Sequence, residues 1–185
     1  MIWVFIAIDG VLLLLLIILF IVTYNKLVAL SKKVDEAFST MDIYLTKRWE
    51  LIPKLVDAVK GYMAHEQRTL EEIATLRGQS YDGMDHSAKI RTNTVLSNDL
   101  YHVVTVAEQY PDLKASENFL SLSRSLYQIE DEIAQARKYY NGTVRMLNTK
   151  VESFPSMVVA KIFGFRSREM YEAKEIQRGD VKVDI

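Results

Sequence analysis

Apolar residues fill the first 24 positions of the chain, MIWVFIAIDGVLLLLLIILFIVTY, and only Asp9 and Gly10 interrupt them. At 1.5 Å per residue, a helix of this length crosses a hydrocarbon core of about 30 Å. A cleaved signal peptide would have a basic start and small residues at a cleavage site, and this segment has neither. The pattern therefore predicts an uncleaved, single transmembrane helix over residues 1–24.

The charged residues beside this segment predict its orientation. No Lys or Arg precedes it, whereas Lys26, Lys32 and Lys33 follow within ten residues. Because basic residues are retained on the cytoplasmic side, we expect the N-terminus outside and residues 25–185 in the cytoplasm.

Three residues of the segment are candidates for membrane or partner contacts. Trp3 and Tyr24 bracket the span, as aromatic residues do at membrane interfaces. Asp9 would cost about 2.5–3.5 kcal/mol at the bilayer centre on insertion scales. It marks a helix–helix contact or polar pathway, or it is a protonated or snorkelling carboxylate in the outer third. The sequence leaves these two interpretations open.

After the span, one apolar stripe recurs every 3.6 residues and predicts a long amphipathic helix. The stripe keeps its phase through Pro53, so we expect the proline to kink this helix without ending it. Gly61 is expected as the residue after its last turn, where the chain reverses. The stripe consists of Leu27, Leu30, Val34, Phe38, Met41, Leu45, Trp49, Ile52, Val56, Val59 and Met63.

Further helices are predicted from similar patterns. Asp85 is a candidate N-cap, Pro111 suits a first helical turn, and Gly164 ends the last helix. The predicted helices cover residues 64–77, 87–109, 113–151 and 153–165. Two short helices stacked on two long ones match these lengths. The expected fold is all-α: a single N-terminal transmembrane helix followed by an antiparallel up–down four-helix bundle with a short C-terminal helix.

Composition narrows the function classes. The chain has 185 residues and no cysteine, which excludes disulfides, thiol nucleophiles and zinc–thiolate sites. Its 23 Lys and Arg are balanced by 24 Asp and Glu, so no basic excess favours nucleic acid as a partner. We expect a transmembrane anchor at 1–24, a cytoplasmic bundle at 25–165 and a charged, frayed tail at 166–185.

Several short runs then resemble the bacterial LemA family: LIPKLV, VKGY, HE, YPDL and YN, within a match from Tyr24 to about Phe165. The family's asparagine after Ile-Pro is Lys54 here. The resemblance implies a membrane-anchored helical bundle in the bacterial inner membrane, with no agreed enzymatic activity. It also implies links of some relatives to magnetosome membranes, and of others to envelope stress and membrane proteases.

Catalytic patterns are incomplete. His65-Glu66 begins like a zincin helix, but Thr69 stands where the second histidine ligand belongs. Asp99 and His102 have the spacing of a di-iron motif without a second copy. We therefore expect no cofactor and no metal. The alternative is a metal-dependent or other enzyme that uses His65, Glu66 and carboxylates of the bundle.

Five residues are candidates for partner interaction: Trp49, Pro53, Gly61, Tyr140 and Asn141. Pro53 has no N–H to donate to the carbonyl of Trp49. This missing hydrogen bond either bends the helix around its neighbours or leaves a site, with the Trp49 ring, that another protein recognises. Tyr140-Asn141 repeats the dipeptide at 24–25, and the favoured interpretation is buried asparagines that fix helix register.

The favoured function is a non-catalytic, membrane-tethered scaffold or adaptor. Its expected partners are the lipid bilayer and other membrane proteins, among them membrane proteases or envelope-stress components. A homo-oligomer is left open. The acidic run 130–132 is interpreted as a solvated face.

The segment 153–165 has two interpretations. In an up–down bundle the first long helix leaves the membrane and the fourth returns to it. The segment would then lie at the membrane surface, where Ile162 and Phe163 would touch lipid or an adjacent transmembrane partner. Lys161, Arg166 and Arg168 would then meet anionic headgroups. Alternatively, its apolar side chains cap the lower end of the bundle core.

Overall fold

The computed structural model describes residues 1–62, 71, 73, 75, 81–107 and 109–171, apart from the side chains at 82, 98 and 101. Within these residues the regular structure is helical and contains no strand, which confirms the all-α prediction. The helices are α1 (Ile2–Lys60), α2 (His86–Ala107), α3 (Pro111–Lys114), α4 (Glu117–Glu152) and α5 (Ser156–Phe163), with a 3₁₀ turn at Tyr81–Gly83.

Helix α1 joins the predicted anchor and the first amphipathic helix into one element of 59 residues. Pro53 lies inside it, so the helix continues through the proline as expected. The N–H of Tyr62 donates to the carbonyl of Val59 at 2.9 Å, a 3₁₀-type bond that closes the last turn. Gly61 follows the last residue of α1, as expected, but its backbone is not left-handed, so it does not form the usual glycine cap.

Local signals predicted three other helix ends correctly. The Asp85 carboxylate accepts from the N–H of Ala88 at 2.7 Å and caps α2. Pro111 occupies the first turn of α3. Gly164 has φ 74°, and the N–H of Phe165 donates to the carbonyl of Ala160 at 2.9 Å, which closes α5.

The predicted helix 113–151 is interrupted. Helix α3 ends at Lys114, and α4 begins at Glu117. The Ser116 hydroxyl accepts from the N–H of Phe119 at 3.5 Å, so a serine that can cap a new helix interrupts the expected one. The predicted helix 64–77 lies largely outside the described residues.

The chain divides into two compact units, and the division falls within both long helices. One unit comprises Met1–Ser39 and Lys138–Met170, and the other comprises Thr40–Arg137 and Tyr171–Ile185. The domain boundaries at 24 and 165 and the up–down order of four helices stay predictions.

In the second unit, α1, α2, α3 and α4 share one hydrophobic cluster. Burying an aliphatic side chain contributes about 1.5–3 kcal/mol, so this cluster stabilises the second unit. Trp49 and Val56 are only partly buried and pack against it. The cluster includes Ile52, Leu55, Val59, Leu96, Leu100, Val103, Leu113, Phe119 and Leu126.

In the first unit, the buried residues come from α1, α4 and α5. The rings of Phe38 and Tyr140 meet edge to face, with centroids 5.8 Å apart. The Tyr140 hydroxyl donates to the carbonyl of Glu169 at 2.9 Å and holds the segment after α5 against α4. The buried residues include Leu27, Leu30, Val34, Phe38, Tyr140, Val144, Leu147, Val159 and Ala160.

Residues 167–169, after α5, are bound to α1 and α4 and are not frayed. The backbone of Arg168 exchanges two hydrogen bonds with the Asn148 side chain, and its guanidinium lies 3.6 Å from Asp35. Ser167 donates to Glu152 at 2.7 Å. The expectation of a frayed tail is therefore wrong for residues 167–169, because side chains of α4 supply their hydrogen-bond partners. Residues 172–185 lie outside the described residues.

Candidate functional site: a buried arginine network

Arg48 lies on the core face of α1 and is fully buried. Its Nη1 donates to the Ser97 hydroxyl at 2.6 Å and to Oε1 of Glu130 at 2.7 Å. Its Nη2 donates to Asn93, at 3.0 Å to the carbonyl and 2.7 Å to Oδ1. Nε has no partner among the described residues. Four of the five guanidinium donors are thus paired, as a buried charge requires.

Asn93 of α2 connects Arg48 to the rest of the network. Its Oδ1 accepts from Arg48, and its Nδ2 donates to the Tyr81 hydroxyl at 3.1 Å and to the carbonyl of Lys89 at 2.9 Å. Both amide hydrogens and the amide oxygen are therefore used. This buried side chain has one orientation that satisfies all of its partners.

Tyr81, from the 3₁₀ turn, connects Asn93 to the second ion pair of the network, Asp42 and Lys89. Its hydroxyl donates to Oδ1 of Asp42 at 2.9 Å, and Lys89 Nζ donates to Oδ2 at 2.6 Å. The Tyr81 ring also lies 4.7 Å from Lys89 Nζ and 4.9 Å from the Trp49 ring. Burial, and next the Asp42 carboxylate, raise the pKa of Tyr81 well above its ordinary value of about 10. Tyr81 is consequently a neutral donor at physiological pH.

The network crosslinks four elements of the second unit: α1, the 3₁₀ turn, α2 and α4. Its two cations, Arg48 and Lys89, face two carboxylates, Asp42 and Glu130, so its formal charges cancel. Apart from Arg48 Nε, the donors and charges described here are paired within the network, which favours a structural role over proton transfer or nucleophilic attack. Among the residues that the structure describes, no three His, Asp or Glu side chains are grouped to hold a metal ion.

The predicted partner residues occupy different environments. Trp49 and Pro53 are half-buried, and Trp49 contacts the network through Tyr81. Gly61 is exposed, Tyr140 is buried, and Asn141 is half-buried.

Of the two asparagines expected to be buried, Asn25 is exposed and Asn141 is half-buried. The Tyr140 hydroxyl of the second dipeptide donates to the carbonyl of Glu169. His65 and Glu66, the centre of the enzymatic alternative, lie outside the described residues.

Two predicted membrane residues come together in the first unit. The rings of Tyr24 and Phe163 have centroids 4.6 Å apart. Ile162 is exposed one position earlier, and Trp3 and Asp9 are exposed on the apolar part of α1.

The sequence patterns did not identify Arg48 as a site residue. The predicted apolar stripe passes through Trp49, whereas the buried face of α1 runs through Leu45, Arg48 and Ile52. Spacings of three and four residues on either side of Arg48 are the signal that indicates its burial. Glu130 is predicted to lie on a solvated acidic face; its side chain is 37% exposed, but its carboxylate also pairs with the buried Arg48, which the prediction does not include.

Comparison with known proteins agrees with this architecture. A family model described as the LemA family matches residues 37–185. The chain belongs to the LemA family. The family is not known as one of enzymes, and α1 is long and apolar enough to anchor this member in a membrane.

Relatives of the chain include LemA and magnetosome proteins. Protein LemA of Metamycoplasma hominis is 28% identical over 158 residues, which cover 85% of this chain and 72% of the relative. Magnetosome protein MamQ of Magnetospirillum gryphiswaldense is 21% identical over 177 residues, covering 82% of this chain and 65% of the relative. Magnetosome protein MamQ 2 of Paramagnetospirillum magneticum is 31% identical over 77 residues, which cover 42% of this chain and 28% of the relative. The chain thus spans less than two thirds of both magnetosome proteins.

Proposed function

We propose that this protein is a membrane-anchored, non-catalytic scaffold or adaptor whose helices outside the membrane bind other membrane or envelope proteins. The observation that carries this proposal is the Arg48 network. Its polar groups bind one another across four elements, so they stabilise a shape. A rigid helical surface held beside a bilayer is suited to recognition.

The proposed location is the inner membrane of a bacterium, with the N-terminus outside and the remaining residues in the cytoplasm. The basic residues Lys26, Lys32 and Lys33 after the apolar segment support this orientation. Partners on the same membrane would include membrane proteases or envelope-stress components.

Exposed apolar side chains of the second unit are the proposed contact points. Tyr127 on α4 is 58% exposed, and Tyr62, just after α1, is 46% exposed. Ile43, Val95 and Leu120 are also exposed. Aromatic residues are enriched at protein interfaces because they bury a large area with little loss of side-chain freedom.

Site-specific photocrosslinking in the native membrane tests this proposal. The photoreactive residue p-benzoylphenylalanine replaces Tyr62 or Tyr127 in the full chain, and Tyr139, an exposed tyrosine of the first unit, is the matched control. We expect a reproducible adduct with another membrane protein from Tyr127 or Tyr62, and a weaker one from Tyr139. If no position gives an adduct with another protein, the adaptor proposal fails. Adducts of the chain with itself alone would show a homo-oligomer instead.

A further inference from the structure

Helix α5 carries exposed apolar side chains outside its buried face. Ser156, Val159 and Ala160 are buried in the first unit. At about 100° per residue, Val158 points away from these three side chains, and Ile162 lies between Val158 and the buried face. Val158 and Ile162 are 46% and 62% exposed. A helix whose apolar surface extends beyond its buried face is suited to a second apolar environment.

The end of α5 lies against the last turns of the apolar part of α1. The Phe163 ring has its centroid 4.6 Å from that of Tyr24 and 5.8 Å from that of Phe20. Phe165 continues the contact, with its ring 5.9 Å from Tyr24. Since Phe20 and Tyr24 end the apolar segment, these contacts place α5 at the depth where α1 leaves the hydrocarbon core.

The sequence around α5 has the charge of a membrane-surface segment. Residues 153–168 contain no Asp or Glu, and they contain Lys161, Arg166 and Arg168. Lys161 and Arg166 are exposed, and Phe154, four positions before Val158, is 80% exposed. Apolar side chains beside basic ones are typical of helices that lie in the interface of anionic membranes.

We propose that α5 is a second membrane contact, lying in the interface on the side of the bilayer where α1 emerges at Tyr24. Val158 and Ile162 face the acyl chains, while Lys161 and Arg166 bind the headgroups of anionic phospholipids. Lipid is favoured over a protein as the molecule that contacts α5, because the exposed apolar surface of α5 is continuous with the apolar part of α1. This inference does not depend on the adaptor role and is tested separately from it.

Spin labels on the full chain test this placement directly. Because the chain has no cysteine, Val158→Cys, Ile162→Cys and a control, Tyr139→Cys, can each be labelled at a single site. Tyr139 is 51% exposed and precedes the end of α4 by about 20 Å of helix. The labelled proteins are reconstituted in nanodiscs of phosphatidylglycerol and phosphatidylcholine. Collision rates are measured with oxygen, which concentrates in lipid, and with a water-soluble nickel chelate.

We expect the oxygen-to-nickel ratio of collision rates at 158 and 162 to exceed that at 139 several-fold. If the nickel chelate reaches 158 and 162 as readily as 139, the outward side of α5 faces water and the proposal is wrong. Low access for both reagents would mean that protein covers this side, which also overturns the proposal. Spin–spin broadening in that case would identify a second copy as the cover.

The headgroup assignment has its own test. With the label at 162, the oxygen-to-nickel ratio of collision rates should be higher in nanodiscs that contain phosphatidylglycerol than in those of phosphatidylcholine alone. The double variant Lys161→Gln, Arg166→Gln should abolish that difference while its circular dichroism stays unchanged. A ratio that does not depend on lipid composition in the unsubstituted background would overturn the assignment of anionic headgroups.

Discussion

Asn148 and Arg168 exchange two hydrogen bonds in which a side-chain amide pairs with a peptide backbone. The N–H of Arg168 donates to Asn148 Oδ1 at 2.8 Å, and Asn148 Nδ2 donates to the carbonyl of Arg168 at 2.9 Å. The amide side chain thus reproduces the pairing of a neighbouring strand. It holds the segment after α5 to α4, although the two residues are 20 positions apart in the chain.

Asn148→Ala should release this segment. Loss of two exposed hydrogen bonds lowers the free energy of local opening by about 1 kcal/mol, which corresponds to roughly fivefold faster cleavage when opening is rapid. The measurement is the rate of tryptic cleavage after Arg166 and Arg168 in the intact chain. Ser167→Ala, which removes one hydrogen bond to Glu152, is the matched control and should change the rate less. Equal rates for Asn148→Ala and the parent would contradict the role of this pair.

Arg48→Lys should destabilise the second unit strongly. An ammonium group has three donors on one nitrogen and cannot reproduce the four hydrogen bonds of the guanidinium, and each buried acceptor left without a donor costs about 1–3 kcal/mol. Glu130→Gln keeps an acceptor at a position that is 37% exposed, so it should cost only about 1 kcal/mol. Urea unfolding of both variants in the same detergent, followed by helicity, gives the two free energies. The role of Arg48 as the centre of the network fails if its variant is no less stable than Glu130→Gln.

Tyr81→Phe should change how stability depends on pH. The variant lacks the hydrogen bonds to Asp42 and from Asn93, so near neutral pH we expect a loss of about 1–3 kcal/mol. Burial raises the folded-state pKa of Tyr81, so above about pH 10 the unfolded chain loses this proton first. The parent's free energy of unfolding then falls with rising pH, by up to about 1.4 kcal/mol per pH unit. The variant has no hydroxyl at position 81 and therefore lacks this contribution.

The difference in stability between parent and Tyr81→Phe should therefore narrow from about pH 9 to about pH 11. Thermal unfolding of the two proteins across this range is the measurement. Tyr140, whose pKa is also raised by burial, is present in both and cancels in the comparison. A difference that stays constant with pH would show that Tyr81 ionises alike in the folded and unfolded states.

The charges around the apolar segment predict the orientation of the protein. An alkaline phosphatase reporter, active only outside the cytoplasm, should be active when fused before Met1 and silent when fused after Ile185. A green fluorescent protein reporter, which matures in the cytoplasm, is the complementary control and should give the opposite pattern. Phosphatase activity from the C-terminal fusion would refute the orientation inferred from Lys26, Lys32 and Lys33.

The sequence by itself determined the apolar anchor, the all-α class and the helix ends at Asp85, Pro111 and Gly164. These features depend on side chains within a few positions of one another: a cap, a fixed φ, or a residue that tolerates a left-handed backbone. Periodicity also identified most of the buried face of α1. Periodicity did not decide whether Arg48 or Trp49 is the buried residue, because neighbouring positions differ by only 100° around a helix.

The tertiary structure decided the contacts between segments distant in the chain. Arg48 is buried because Asn93, Ser97 and Glu130 supply acceptors from two other helices, and no local pattern specifies that meeting. Arg168 and Glu169 are held by Asn148 and Tyr140 for the same reason. A buried charge or an extended backbone is stable only where partners from elsewhere replace water, and folding alone brings those partners together.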